Sequence, residues 1–96
     1  MARPRLDVYV AKHCFGCPEA RRLARAAAAS YPTVSVRIVD LEAEPDARPD
    51  DLLAVPTYVL DGRVVSLGNP RQSDLFGQLD RALVAAPTEE ERHGAP

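Results

Sequence analysis

The chain has 96 residues, the size of one compact domain, since chains divide into several only beyond ~250 residues. Its apolar share of 46 % and charged share of 27 % match a folded globular protein and exclude an unstructured tail, and no apolar run approaches the ~18–20 residues of a bilayer span. A net charge of −2 argues against the phosphate-neutralising surface of a nucleic-acid binder. That average conceals an asymmetry: residues 1–40 hold seven cations (Arg3, Arg5, Lys12, Arg21, Arg22, Arg25, Arg37) against three acids, and residues 41–96 hold eleven acids against five arginines. The positive half suits a thiolate or an acidic partner, or is simply the solvated face of one helix. Met1 to Arg5 leads into an alternating segment rather than an apolar signal region, so the expected compartment is the cytoplasm.

In chain order, Leu6-Asp7-Val8-Tyr9-Val10-Ala11 alternates with period two and predicts a first strand. Pro18 fits the first turn of a helix, where its missing N–H has no partner to lose. Ala20, Leu23, Ala24, Ala27 and Tyr31 then share one face until Pro32 stops the helix. Val34, Val36, Ile38 and Leu41, spaced by Ser35, Arg37 and Asp40, predict a second strand in which Val39 is the one break in alternation. The acidic stretch Glu42 to Asp51 contains Pro45 and Pro49, which exclude a long helix and leave a short turn around Asp50 to Ala54. Thr57-Tyr58-Val59-Leu60 and Arg63-Val64-Val65-Ser66-Leu67 flank Asp61-Gly62, a pair suited to the two φ > 0 positions of a tight hairpin. Asn69 is an N-cap candidate followed by Pro70, and Leu75, Phe76, Leu79, Ala82, Leu83 and Ala86 recur at helical spacing. Gly77 within that helix predicts close packing or an earlier break. Pro87 to Pro96 predicts a mobile acidic tail, so residues 1–86 form the expected domain.

The two cysteines, Cys14 and Cys17, make one C-x-x-C between the first strand and the first helix. A disulfide framework and a structural zinc site each need a second pair, which leaves redox chemistry or a two-thiolate metal site. At a helix N-terminus the unpaired N–H groups and the macrodipole favour a thiolate, lowering a pKa of ~8.5 to anywhere in ~3.5–7.5. Cys14 is the expected exposed nucleophile and Cys17, on the Leu23/Ala24 side, the sheltered resolving thiol. Gly16 leaves the loop free of a side chain over the sulfurs. His13 and Lys12 are candidates for tuning the Cys14 thiol, or are exposed loop residues. Phe15 is either an exposed partner contact or folded onto Tyr58.

These residues resemble the thioredoxin/glutaredoxin superfamily over about Leu6 to Ala85, through Cys14-x-x-Cys17 after a strand, Val55-Pro56-Thr57 before one, and Asp61-Gly62. The resemblance implies an α/β thioredoxin-like fold, β-α-β then β-β-α, with a mixed four-stranded sheet flanked by helices. It also implies a small thiol–disulfide oxidoreductase that needs no cofactor beyond its own redox-active disulfide. Pro56 would be a cis-proline beside that disulfide, and the Val55 backbone would pair with an extended substrate segment. Implied partners are a disulfide-containing protein and an upstream thiol reductase or low-molecular-weight thiol, with no nucleic acid, no membrane and a monomeric chain. The sequence departs from the family where thioredoxins place Trp before the first cysteine and Gly-Pro between the two, for here stand His13, Phe15 and Gly16. Val8 occupies the position of their buried Asp, and Ala54 and Leu67-Gly68-Asn69 replace residues that hold glutathione in glutaredoxins.

Two other classes compete. One is a Cu(I)- or Zn(II)-binding protein using His13-Cys14-x-x-Cys17, since soft ions prefer thiolates. The other is a redox-inactive interaction module whose cysteines are small buried hydrophobes.

Overall fold

The computed structural model describes residues 3–84; the expected boundary at residue 86 and the acidic tail lie outside them. Strand β1 (Arg5–Val10) is buried at every residue but the first, as befits a central strand, and lies one residue upstream of the predicted span. Its alternation sends Leu6, Val8 and Val10 into the main core and Tyr9 into a second cluster on the opposite face. Strand β2 (Ser35–Asp40) pairs with β1 in parallel, with Val8 opposite Ile38. A parallel pair requires a long crossover, here supplied by helix α1 (Cys17–Ser30). Strands β3 (Thr57–Leu60) and β4 (Arg63–Leu67) complete a mixed sheet of order β2-β1-β3-β4, β3 antiparallel to both its neighbours. The predicted mixed four-stranded sheet is the observed one.

The hairpin turn takes the predicted form: Asp61 and Gly62 have φ of 51° and 84°. Asp61 also ties the turn to β1, its carboxylate accepting from the Arg5 N–H at 2.8 Å. Helix α1 buries Cys17, Ala20, Leu23, Ala24 and Ala27. It ends where the Tyr31 N–H donates to the Ala27 carbonyl at 2.8 Å, one residue before Pro32. Helix α2 (Gln72–Val84) sets Leu75 and Leu79 into the same core, each burial stabilising by about 1.5–3 kcal/mol. The two helices are joined at the far end from the cysteines: the Tyr31 and Phe76 rings meet edge-to-face at 5.1 Å, and the Tyr31 hydroxyl donates to Asp80 at 2.7 Å.

Four expectations are corrected. Leu41 does not share a face with Val36 and Ile38; Val39 and Leu41 pack with Tyr9 on the other face, so the break in alternation marks a strand covered on both sides. The acidic link holds a 3-10 turn, Pro45–Ala47, in addition to a turn at Asp50 and Asp51, because proline fits a first helical position and the Arg48 N–H reaches the Pro45 carbonyl at 3.3 Å. Asn69 does not cap α2, whose first helical bond runs from the Leu75 N–H to the Arg71 carbonyl. Gly77 neither breaks α2 nor sits in a close contact: a Cβ there would meet only the Arg81 guanidinium, at 3.6 Å.

Candidate active site

The chain leaves β1 at Val10, crosses Lys12 and His13, and enters the cysteine loop. His13 has φ of 55°, the left-handed conformation that lets a short loop turn back toward the helix. Cys14 and Cys17 are joined by a disulfide with Cα atoms 5.3 Å apart, within the span such a bond allows. The Cys17 N–H donates to the Cys14 carbonyl at 3.2 Å, closing the loop as a turn that runs into α1 with Gly16 as its N-cap. Cys14 is half-buried and Cys17 only 3 % exposed, in the main core with Val8 and Leu23. The outer sulfur therefore belongs to the residue that an external thiolate can approach.

Opposite this loop stands the segment before β3. The Val55–Pro56 peptide is cis and Pro56 is buried. An added Cβ on Gly16 would lie 3.5 Å from Pro56 Cδ, an ordinary van der Waals distance, so the two loops are in contact. Val55 is half-buried, and its backbone makes no hydrogen bond to another described residue. Thr57 steadies the entry to β3, its hydroxyl donating to the Ala54 carbonyl at 2.6 Å.

A third segment closes the site, one that local sequence patterns do not reveal. Gly68, with φ of 84°, follows β4 and donates its N–H to the Pro56 carbonyl at 2.8 Å. The Asn69 side-chain amide donates to the Gly16 carbonyl at 2.8 Å and accepts from the Tyr58 hydroxyl at 2.7 Å. Tyr58 itself is wholly buried, and burial pushes its hydroxyl pKa well above the ordinary value. No periodicity reports such a bond, since Asn69 and Gly16 are 53 residues apart.

Lys12 and His13 are exposed, and neither forms a hydrogen bond or ion pair with another described residue. Phe15 is fully exposed and does not fold onto Tyr58, because the tyrosine ring lies inside the core while the cysteine loop turns Phe15 outward. Glu19, in the first turn of α1, is held by Arg22 in two contacts of 2.7 Å, which lowers its pKa.

Solved structures share this fold. A thioredoxin from Nicotiana alata superposes with a TM-score of 0.71 at 21 % identity, over 85 % of this chain and 75 % of its own. Fasciola hepatica thioredoxin gives 0.68 at 25 % identity, over 84 % and 82 %. The chain has a thioredoxin fold. An alkylhydroperoxide reductase from Enterococcus faecalis also matches, with a TM-score of 0.68 at 22 % identity over 80 % of this chain, although the chain spans only 38 % of that protein. No protein-family model and no curated protein sequence matches the chain.

Within this thioredoxin-like frame Val8 lies in the same buried cluster as Cys17, fully enclosed. The buried acid of β1 is Asp7 instead, on the opposite face, paired with Arg5 at 3.2 Å and Arg37 at 3.4 Å. It takes no part in the site.

Proposed function

We propose that this thioredoxin-like protein is a thiol–disulfide oxidoreductase, working through Cys14 and Cys17. The observation that carries the reading is a disulfide between one accessible and one buried cysteine at the start of a helix, in a loop whose Gly16 packs against Pro56. In the dithiol state the α1 N-terminus favours a thiolate at Cys14. That thiolate attacks a substrate disulfide, forms a mixed disulfide and expels one substrate thiolate. Cys17, as thiolate, then attacks the Cys14 sulfur, closes the internal disulfide and releases the second substrate thiol. Two electrons pass to the substrate, and two further thiols, either the pair of a dithiol reductase or two molecules of a low-molecular-weight thiol, return the chain to the dithiol and leave as a disulfide.

Val55 and Pro56 form the wall along which an extended substrate segment would lie, with the Val55 amide and carbonyl left for pairing. Phe15 offers an apolar contact next to Cys14 in the chain, and Gly16 packs against Pro56 and Asn69. His13 and Lys12 place positive charge or hydrogen-bond donors next to Cys14 in the chain. The described residues hold no group of three or more His, Cys, Asp or Glu side chains able to share a metal ion, so a metal here would rest on the two thiolates. No helix among them is long and apolar enough to cross a membrane.

The test is a disulfide-reduction assay with an excess of a thiol donor. Cys14→Ser abolishes turnover, and Cys17→Ser accumulates a covalent mixed disulfide visible by mass. Wild-type turnover by Cys14→Ser refutes the assignment.

A further inference from the structure

The Gly68-Asn69 segment does more than connect β4 to α2. Gly68 holds Pro56 through its N–H, and Asn69 holds Gly16 through its amide. The segment is itself secured twice, by the Ser66 hydroxyl donating to the Gly68 carbonyl at 2.7 Å and by the Tyr58 hydroxyl donating to Asn69. The orientation of the Asn69 amide follows from its partners: the Gly16 carbonyl can only accept, so the NH₂ must face it and the amide oxygen must face Tyr58. A core tyrosine is thus linked through one side chain to the carbonyl of the peptide bond that leads into Cys17. The fit leaves no slack, for an added Cβ on Gly16 would stand 3.1 Å from the Asn69 nitrogen.

We propose that Asn69 is a positioning residue for the Cys14–Cys17 couple, bracing the loop at Gly16 so that the reduced Cys17 stays in reach of Cys14. This rests on the exchange reading above. Asn69 bonds to neither sulfur, so its effect falls on the closure step, in which Cys17 attacks the mixed disulfide, and not on the acidity of Cys14. With the disulfide intact the loop is held covalently and the brace is redundant. In the dithiol the brace limits the geometries the loop visits, and its loss lowers the effective concentration of one sulfur at the other. One net hydrogen bond corresponds to a two- to tenfold change in an equilibrium constant, roughly. For a two-electron couple this is a midpoint about 10–30 mV less negative.

The experiment titrates the full chain in glutathione buffers, comparing wild type with Asn69→Ala, Asn69→Asp and Tyr58→Phe, alongside the pH dependence of Cys14 alkylation in the reduced form. Asn69→Asp keeps the acceptor for Tyr58 but turns an oxygen toward the Gly16 carbonyl, so it should lower closure at least as much as Asn69→Ala. Tyr58→Phe should lower it less. The alkylation midpoint should stay fixed in the two uncharged variants, Asn69→Ala and Tyr58→Phe, while the added carboxylate of Asn69→Asp raises it. An unchanged closure constant in Asn69→Asp and Asn69→Ala overturns the proposal, as does a change in Asn69→Ala or Tyr58→Phe that merely follows a moved alkylation midpoint. Should Asn69→Ala fail to fold, Tyr58→Phe and Asn69→Asp still decide. If the wild type forms no disulfide anywhere in the series, the exchange reading itself fails, a result distinct from equal closure in wild type and variants.

Discussion

Val8 is enclosed on the core face of β1 in the cluster that holds Cys17, and a carboxyl introduced there would be surrounded by Leu6, Val10 and Tyr58 without an ion-pair partner. Replacing it by Val8→Asp, with Val8→Asn as the reference of equal size, isolates the cost of the charge. Burial raises a carboxyl pKa by up to ~3–5 units. A three-unit rise at ~1.36 kcal/mol per unit destabilises the charged form by about 4 kcal/mol, a large part of a total of ~5–15 kcal/mol. The sign follows from a folded pKa above the unfolded ~3.9: the two variants have equal stability near pH 4, diverge as pH rises toward ~7, and keep a constant gap above it. Urea unfolding of both at half-unit steps from pH 4 to 8 reads this directly. The same carboxylate would take the proton of Cys17, so a mixed disulfide on Cys14 should resolve faster at pH 8 in Val8→Asp than in Val8→Asn. Parallel stability curves for the two variants would refute the reasoning, since they would mean that position 8 is wet and that Cys17 has no dry pocket.

Leu79→Ala removes three buried carbons worth about 2.4 kcal/mol of transfer free energy, to which the cavity adds, for a loss of about 3–4 kcal/mol in urea unfolding; Leu53→Ala, at 81 % exposure, should change stability by less than ~0.5 kcal/mol. Gly62→Ala puts a side chain at φ of 84° in the hairpin and should cost about 1 kcal/mol in thermal unfolding, with no effect on the cysteine couple. The Asp40 carboxylate is held below its ordinary pKa first by the Glu42 backbone N–H and more weakly by Arg21. Its contribution is therefore present at neutral pH and lost as pH falls below the usual carboxylate range, a slope that Asp40→Asn should remove from an acid titration followed by circular dichroism.

Local signals carried most of the fold. Asp61-Gly62 dictates a tight hairpin by backbone conformation alone, and the spacing of Leu75 and Leu79 dictates a helix by its buried face. Likewise, Cys14 and Cys17 are placed by their position between a strand and a helix. What periodicity could not show depends on partners distant in the chain. Asn69 has the chemistry of a helix cap, and only the arrival of Gly16 and Tyr58 redirects its side chain. Val39 looked irregular because alternation assumes one wet face, while β2 has residues packed on both. The turn at Pro45–Ala47 is too short to leave a repeating pattern.

The second face of the sheet has a distinctive cover. Tyr9, Val39 and Leu41, with Val59 of β3 beside them, are roofed by Ala47, Leu52 and Val55, so the roof between β2 and β3 is irregular chain with a single 3-10 turn in place of a helix. Few buried apolar contacts and few backbone bonds give such a segment a low opening free energy, and its amide hydrogens should exchange with solvent long before those of β1 and α1. Val55 belongs to that roof. It is also packed against the main core that holds Cys17, so protection from exchange should rise along the roof from Ala47 toward Val55, where the loose cover meets the tightly packed side of the sheet.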